Sequence, residues 1–280
     1  MNLKSATAAG FLCLVAGMLQ ACGGGSSGGS GEDVVIPLPT EAAPSSLLDL
    51  GGWALTIPRN PTGGTDGNAE VVSTSRLVEG YSSDWFQGVE GDGVMFFAPV
   101  HGALTANAKY PVSMLRELLD PEDASVNWTW DDFSRMDATL AVHQVPRENG
   151  KVVIGQIRGY NGENVAISEL CKLVFETNGP GRGTLYVLVL DSPVAADSTA
   201  RRLNLVGGLG LGETFTISLR VEDRTLHVAS GDESVSTPID SNWDGMGLYF
   251  RAGAALQAIG NSDTDGARVT FYQLGVTHGV

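Results

Sequence analysis

The chain has 280 residues, a formal net charge of −15 and 42% hydrophobic residues. With one targeting segment set aside, that length suits a single domain of roughly 230 residues with a sizeable core. So acidic a chain lacks the basic footprint that phosphate backbones require, which argues against nucleic acid as a partner. A polyanionic sugar stays open, because charges farther than a Debye length of about 8 Å from a groove are largely screened there.

Residues 1–21 read as a signal peptide. Met1-Asn-Leu-Lys4 supplies a positive start, and the apolar run over residues 8–19 is too short for a permanent membrane span. Lys4 is the only charge in this segment, so its removal takes the net charge from −15 to −16. The segment ends in Leu19-Gln-Ala-Cys22, which resembles the lipobox of bacterial lipoproteins, where the cysteine is lipidated and becomes the new N-terminus. Residues 22–44 read as a Gly/Ser/Pro-rich tether, and the Gly/Ser run over 23–31 has the composition of a flexible coil. The resemblance implies an exported protein held to a membrane through lipid on Cys22. With neither Asp nor Glu after Cys22, the expected location is the outer membrane of a Gram-negative bacterium. An ordinary cleaved signal peptide with an incidental cysteine is the alternative.

Residues 45–280 read as one all-β domain. Strands follow at short spacing: Trp53-Ala-Leu-Thr-Ile57, Gly93-Val-Met-Phe-Phe-Ala98, Thr139-Leu-Ala-Val-His-Gln-Val145, and then Lys151 to Tyr160. Glu169-Leu-Cys-Lys-Leu-Val-Phe175, Leu185-Tyr-Val-Leu-Val-Leu190, Thr214-Phe-Thr-Ile-Ser-Leu219 and Thr225-Leu-His-Val-Ala229 come next, and residues 247–256 and 267–272 complete the set. Asn178-Gly-Pro-Gly181, Gly207-Gly208, Gly231-Asp232 and Asp265-Gly266 supply turns. Helical periodicity is nearly absent, with room for a short turn or two over 121–133. This pattern predicts a two-sheet sandwich or jelly roll. Cys171 stands alone in an apolar strand and reads as a small core hydrophobe.

Two strands carry the chemistry. In Lys151-Val-Val-Ile-Gly-Gln-Ile-Arg-Gly-Tyr160, alternation puts Gln156, Arg158 and Tyr160 on one face and Val153, Gly155 and Ile157 on the other. An amide, a guanidinium and a phenol on one face are costly to bury without partners. They suit either a wet face or a groove floor for a carboxylate-bearing ligand. In residues 247–257, Leu248, Phe250, Ala252, Ala254 and Leu256 form an apolar face, while Tyr249, Arg251, Gly253, Ala255 and Gln257 point the other way, toward the same groove.

These strands resemble the alginate lyases of polysaccharide lyase family 7, over most of residues 47–278. The family pattern Gln-Ile-His is met by Gln156-Ile-Arg158. Tyr-Phe-Lys-Ala-Gly-x-Tyr-x-Gln is met by Tyr249-Phe-Arg-Ala-Gly-Ala-Ala-Leu-Gln257, and Tyr-Pro-Arg-Ser-Glu-Leu-Arg-Glu by Tyr110-Pro-Val-Ser-Met-Leu-Arg-Glu117. Lesser matches are Leu48-Asp-Leu, Phe96-Phe-Ala-Pro-Val100, Ser241-Asn-Trp-Asp244 and Val269-Thr-Phe-Tyr272. The resemblance implies a β-jelly roll, a concanavalin A-like sandwich with an open concave cleft. It also implies β-elimination at a uronic acid with no metal or organic cofactor.

That reaction requires neutralisation of the carboxylate, a base for the neighbouring proton and an acid for the leaving oxygen. In the family an Arg and the motif Gln serve the first need, and a His and a Tyr the others. Here the first Arg is Val112, the motif Glu is Met114, the His is Arg158 and the Tyr is Ala255. Arg158 cannot act as a base, since its pKa lies above about 12. Gln156 and Tyr160 remain as catalytic candidates, with Tyr160 about 13 Å from Gln156 along a regular strand at about 3.3 Å per residue. Tyr110 and His143 are weaker ones, and His101 reads as a loop residue. Arg116, Arg158, Tyr249, Arg251 and Gln257 are the expected substrate-binding residues, alongside Glu117 as a retained motif residue. The readings that follow are a lyase acting on alginate or a related uronate polymer, a catalytically inactive surface lipoprotein that binds acidic glycans, and an envelope protein with no glycan ligand. A monomer is expected.

Overall fold

A computed structural model of the protein describes residues 34–106, 108–162, 168–194 and 196–279. The signal peptide, Cys22 and the Gly/Ser run lie outside the described residues. In chain order the described strands are β1 (Trp53–Thr56), β2 (Val71–Val72), β3 (Phe86–Val89), β4 (Gly93–Pro99), β5 (Val112–Glu117), β6 (Ser134–Gln144), β7 (Lys151–Tyr160) and β8 (Glu169–Gly179). They continue as β9 (Arg182–Leu190), β10 (Ala200–Gly210), β11 (Thr214–Glu222), β12 (Thr225–Ser230), β13 (Glu233–Pro238), β14 (Gly247–Ala255) and β15 (Gly266–His278). Among the described residues, helix is confined to α1 (Pro44–Leu47), α2 (Thr74–Val78) and one 3-10 turn at Ser241–Trp243. Residues 121–133 form turns and no helix.

The strands make two antiparallel sheets. One has eight strands in the order β10-β9-β8-β7-β14-β5-β1-β2, and the other has seven in the order β13-β12-β11-β6-β15-β4-β3. β7, β8, β9 and β10 pair in sequence order, β8 and β9 through a two-residue turn at Pro180-Gly181, while β14 enters between β7 and β5 from far along the chain. That insertion joins the two motif strands and a third, β5, at the centre of one sheet. The expected two-sheet sandwich is therefore the observed one.

Between the sheets lies one apolar core. Phe86, Phe96 and Phe271 interlock edge to face, with ring centroids 5.0 and 5.2 Å apart. Trp243, Phe175, Phe250 and Leu115 are almost wholly buried with them. Cys171 has no exposed surface, and burial pushes its thiol up to about 12, so it acts as a core hydrophobe as expected.

Five strands escaped the sequence reading, for physical reasons. β2 and β3 are too short to show alternation, and β5 was visible only as a motif. The edge strand β13 is rich in polar residues, as edges tend to be, and the edge strand β10 is interrupted by glycines and two register shifts. Gly207-Gly208, expected as a turn, lies inside β10, where Gly208 has φ 79° at a register shift.

Strict alternation also fails twice at the centre of the eight-stranded sheet. β7 skips Ile154 in its register with β8, so Ile154 and Gly155 both face the core and Val153 is turned outward with Gln156. β8 skips Leu170 in the same way, so Leu170 and Cys171 both face inward, while Glu169 and Lys172 both face outward. Val153 therefore shares the face of Gln156, contrary to the alternation expected from sequence.

Candidate binding groove

The outward face of the eight-stranded sheet brings the expected polar residues into one row. Across the paired strands, Lys172 on β8 lies opposite Gln156 on β7, Gln156 opposite Arg251 on β14, and Arg251 opposite Arg116 on β5. Adjacent strands stand about 4.8 Å apart, so these four side chains are lateral neighbours. The next row holds Glu169, Arg158 and Tyr249 in the same order, and the row after it pairs Tyr160 with Gly247.

Contacts within the rows fix their geometry. Arg251 donates from Nη1 to Gln156 Oε1 at 3.3 Å. Gln156 is only 4% exposed, so this bond meets part of the demand of a buried amide. Burial pushes the Arg251 guanidinium down to about 10, which still leaves it charged at neutral pH. Arg116 stacks on Tyr249, its guanidinium carbon 4.3 Å from the ring centroid, and lies 5.9 Å from that of Tyr160. Its Nη2 donates to the Ala124 carbonyl at 2.8 Å, which ties this end of the row to the loop after β5.

Glu169 and Lys172 are functional-face residues that sequence reasoning missed. Glu169 lies 3.8 Å from Arg158 and 3.2 Å from Lys172. Burial pushes its carboxyl up, but the Lys172 ammonium and the Arg158 guanidinium outweigh that effect and hold it below the usual carboxylate range. Glu169 and Lys172 are three apart, which regular alternation would place on opposite faces. Only the bulge at Leu170 unites them, and no local signal announces it. Farther along, Lys151 and Arg202 flank Glu176 at 3.1 and 3.0 Å. Among the described residues of these rows, Lys151, Arg116, Arg158, Lys172, Arg202 and Arg251 stand against Glu169 and Glu176, on a chain that is strongly acidic overall.

On the other side of the central row the face turns apolar. Met114, Val153, Val174, Tyr186 and Ala255 form a second cluster, with Val112 and Leu188 packed at its rim. Val112, Met114 and Ala255 thus fill space beside Gln156 with hydrocarbon, and the family's Arg, Glu and Tyr have no counterpart there. The central floor is accordingly less open than an empty trough. Two hollows, of about 590 and 620 Å³, lie elsewhere, beside Thr139 and Ser218 on the other sheet and beside Asp191 and Ile239. Neither hollow is lined by such a cationic row.

Other expected residues fall outside the row. Gln257 lies two residues past the end of β14, and its carbonyl accepts from Asn149 Nδ2 at 2.9 Å. Tyr110 precedes β5 and is 37% exposed. Glu117 points into the sandwich, where Oε2 accepts from Trp128 Nε1 and the Phe250 amide, both at 2.9 Å, and Oε1 lies 2.6 Å from His278 Nε2. None of the four histidines faces the row. His101 pairs with Asp263 in a loop, and His143 and His227 belong to the seven-stranded sheet. His278 sits by Glu117.

Comparison with known proteins gives this geometry a lineage. The alginate lyase family model matches residues 48–278. The solved alginate lyase PA1167 from Pseudomonas aeruginosa is 33% identical, with TM-score 0.73, covering 82% of this chain and 100% of that one. Alginate lyase A1-II', a member of polysaccharide lyase family 7, is 29% identical, with TM-score 0.72 and coverage of 85% and 99%. The alginate lyase from Klebsiella pneumoniae is 27% identical, with TM-score 0.68 and coverage of 85% and 99%. A1-II' has been solved with substrate in a form with one His changed to Asn and one Tyr to Phe. No curated protein matches the sequence. With the family model spanning residues 48–278 and the fold shared along almost the full length of these enzymes, the chain belongs to the alginate lyase family, polysaccharide lyase family 7.

Proposed function

We propose that the row Lys172, Gln156, Arg251 and Arg116, with Arg158 beside it, binds the carboxylates of alginate or a related uronate polymer. The observation that carries this reading is the excess of guanidinium and ammonium groups on one face of an acidic chain, arranged on adjacent strands around a buried amide. Arginine forks recognise carboxylates in bidentate geometry, and an amide can add a further bond. Tyr249, Tyr160 and the rim residue Val112 offer surfaces for sugar faces. Affinity electrophoresis in gels of poly-mannuronate, poly-guluronate and glucuronan tests the reading. Retention that weakens above physiological salt, and weakens further in Arg158→Ala, is the expected result. Mobility unchanged by every acidic glycan would overturn it.

Turnover is a second reading, supported by family membership and by the cation that Arg116 sets beside Tyr160. In it, Gln156 helps neutralise the uronate carboxylate and Tyr160 handles the proton. A positioned acid or base contributes roughly 10²–10⁴ in rate, so a site without the family's His and Tyr is a slow lyase at best. The test is ultraviolet absorbance from the unsaturated uronate end at high protein loading. No absorbance on any of the three polymers would leave binding alone.

We further propose that residues 1–21 direct export and that Cys22 carries the lipid that holds the protein at the outer membrane of a Gram-negative cell, as a monomer. The Leu19-Gln-Ala-Cys22 sequence and the Gly/Ser run support this. The mass of the mature N-terminal peptide reports it directly, and an unmodified Cys22 or an uncleaved leader would refute it.

A further inference from the structure

The chain enters the domain on the sheet opposite the cationic row. Residues 34–39 run from the end of β6 to the free edge of β3. Near β6, Val34 approaches Gly212, and the Val35 carbonyl lies 3.2 Å from His143 Nδ1. Near β3, Pro39 bridges to Val89, the Glu90 amide donates to the Leu38 carbonyl and the Thr40 amide donates to the Gly88 carbonyl, both at 2.9 Å. His143 lies at a bulge after the core residue Val142, and its side chain faces outward. The outward-facing residues between the two anchorages, Thr270 and Met95, are 0% and 4% exposed, as expected beneath a covering strap.

The strap is pinned by its backbone, yet its aliphatic side chains are left out. Val35 is 77% exposed, Ile36 40% and Leu38 64%. Single exposed aliphatic residues are ordinary on a soluble surface. Three within four positions of one anchored segment are not, and this segment is where the chain arrives from Cys22.

From these observations we infer that residues 34–38, on the outward face of the seven-stranded sheet, form the surface through which the protein rests on a lipid bilayer, with the cationic row turned away into solution. The inference rests on the reading of Cys22 as a lipid anchor. Cys22 precedes Val34 by twelve residues. A Gly/Ser linker of that length spans on the order of 20 Å, and about 40 Å at full stretch. Such a tether raises the effective concentration of the strap at the bilayer to about the millimolar range, enough to occupy a contact too weak to hold a free protein. Glu90, whose Oε2 accepts from the Leu38 amide at 3.4 Å, argues against a need for anionic lipid, so the contact is apolar. The outward faces of a two-sheet sandwich look in opposite directions, and the row then meets polymer arriving from solution.

Hydrogen exchange on the full-length protein, purified from a Gram-negative host and reconstituted in phosphatidylcholine vesicles, tests this. The amides of Val34, Val35, Ile36 and Leu38 should exchange more slowly, by roughly threefold or more, than in the Cys22→Ser protein in the same suspension, while β7 and β14 stay unchanged. The variant Val35→Asp/Leu38→Asp keeps the backbone pins and should lose the slowing while remaining on the vesicles. No slowing at 34–38, equal slowing in the double variant, or slowing at β7 and β14 instead would overturn the inference. Intact mass reports acylation separately. If Cys22 carries no lipid, coupling its thiol to a maleimide lipid in protein expressed without residues 1–21 supplies the same tether, since Cys13 is then absent and the buried Cys171 does not compete, and the exchange comparison then decides the surface on its own.

Discussion

Single side chains on the cationic face are balanced between binding and stability. Glu169 neutralises part of the charge of Arg158 and Lys172. Replacing it with Gln should therefore strengthen retention on poly-mannuronate at low salt by about two- to fivefold, as expected for one opposing charge removed near the ligand; affinity electrophoresis measures this directly. The folded Glu169 carboxyl is held below its ordinary value. Its pairs add stability that is present above the ordinary carboxylate range and fades as pH falls through the folded value, and wild-type stability should lose that increment on acidification while Glu169→Gln does not. Arg251 runs the other way. Burial disfavours its charge, but its loss also removes the donor to the buried Gln156 Oε1, so Arg251→Met should shift stability by no more than about 1–2 kcal/mol in either direction, while retention on acidic glycans falls. Urea titration and electrophoresis on the same variant separate the two effects.

Among the elements, β14 matters most, because it carries Tyr249 and Arg251 between β7 and β5. Two devices hold it. Glu117 accepts from the Phe250 amide, which lies between those two residues, and from Trp128, whose ring packs 4.8 Å from that of Phe250. Glu117→Ala leaves these donors and His278 without their acceptor, and should cost about 3–5 kcal/mol in urea unfolding. Gly253 sits at φ 143°, and a Cβ there would lie 2.5 Å from the Ser113 carbonyl oxygen. Gly253→Ala should therefore cost at least about 1–3 kcal/mol and loosen the pairing of β14 with β5, seen as faster amide exchange in both strands. The glycine of this motif is thus explained by close backbone approach.

For the whole molecule, charge separation is the leading feature: a cationic row on one sheet of a chain with net charge −15. A polyanion approaching from afar meets repulsion and meets attraction only at close range. Raising ionic strength from 0.01 to 0.1 M shortens the Debye length from about 30 to about 10 Å, which removes the distant term first. Association with alginate should therefore speed up over that range and weaken only at higher salt, and stopped-flow mixing at graded salt would show the maximum. A monotonic fall would mean that the row dominates even at long range.

Sequence alone determined the strand-rich sandwich, because turn residues and β-branched runs are local signals that report themselves. It also determined that Gln156, Arg158, Tyr249 and Arg251 share outward faces, because alternation holds over those short spans. Only the tertiary structure decided that Gln156, Arg251 and Arg116 stand in register on three strands, since β14 pairs with partners about 100 and 140 residues away. It alone placed Val153 and Glu169 outward, through bulges that a period of two cannot foresee, and turned Glu117 inward although it adjoins Arg116 in the chain. Register and bulges are properties of strand pairs, and no single strand encodes them.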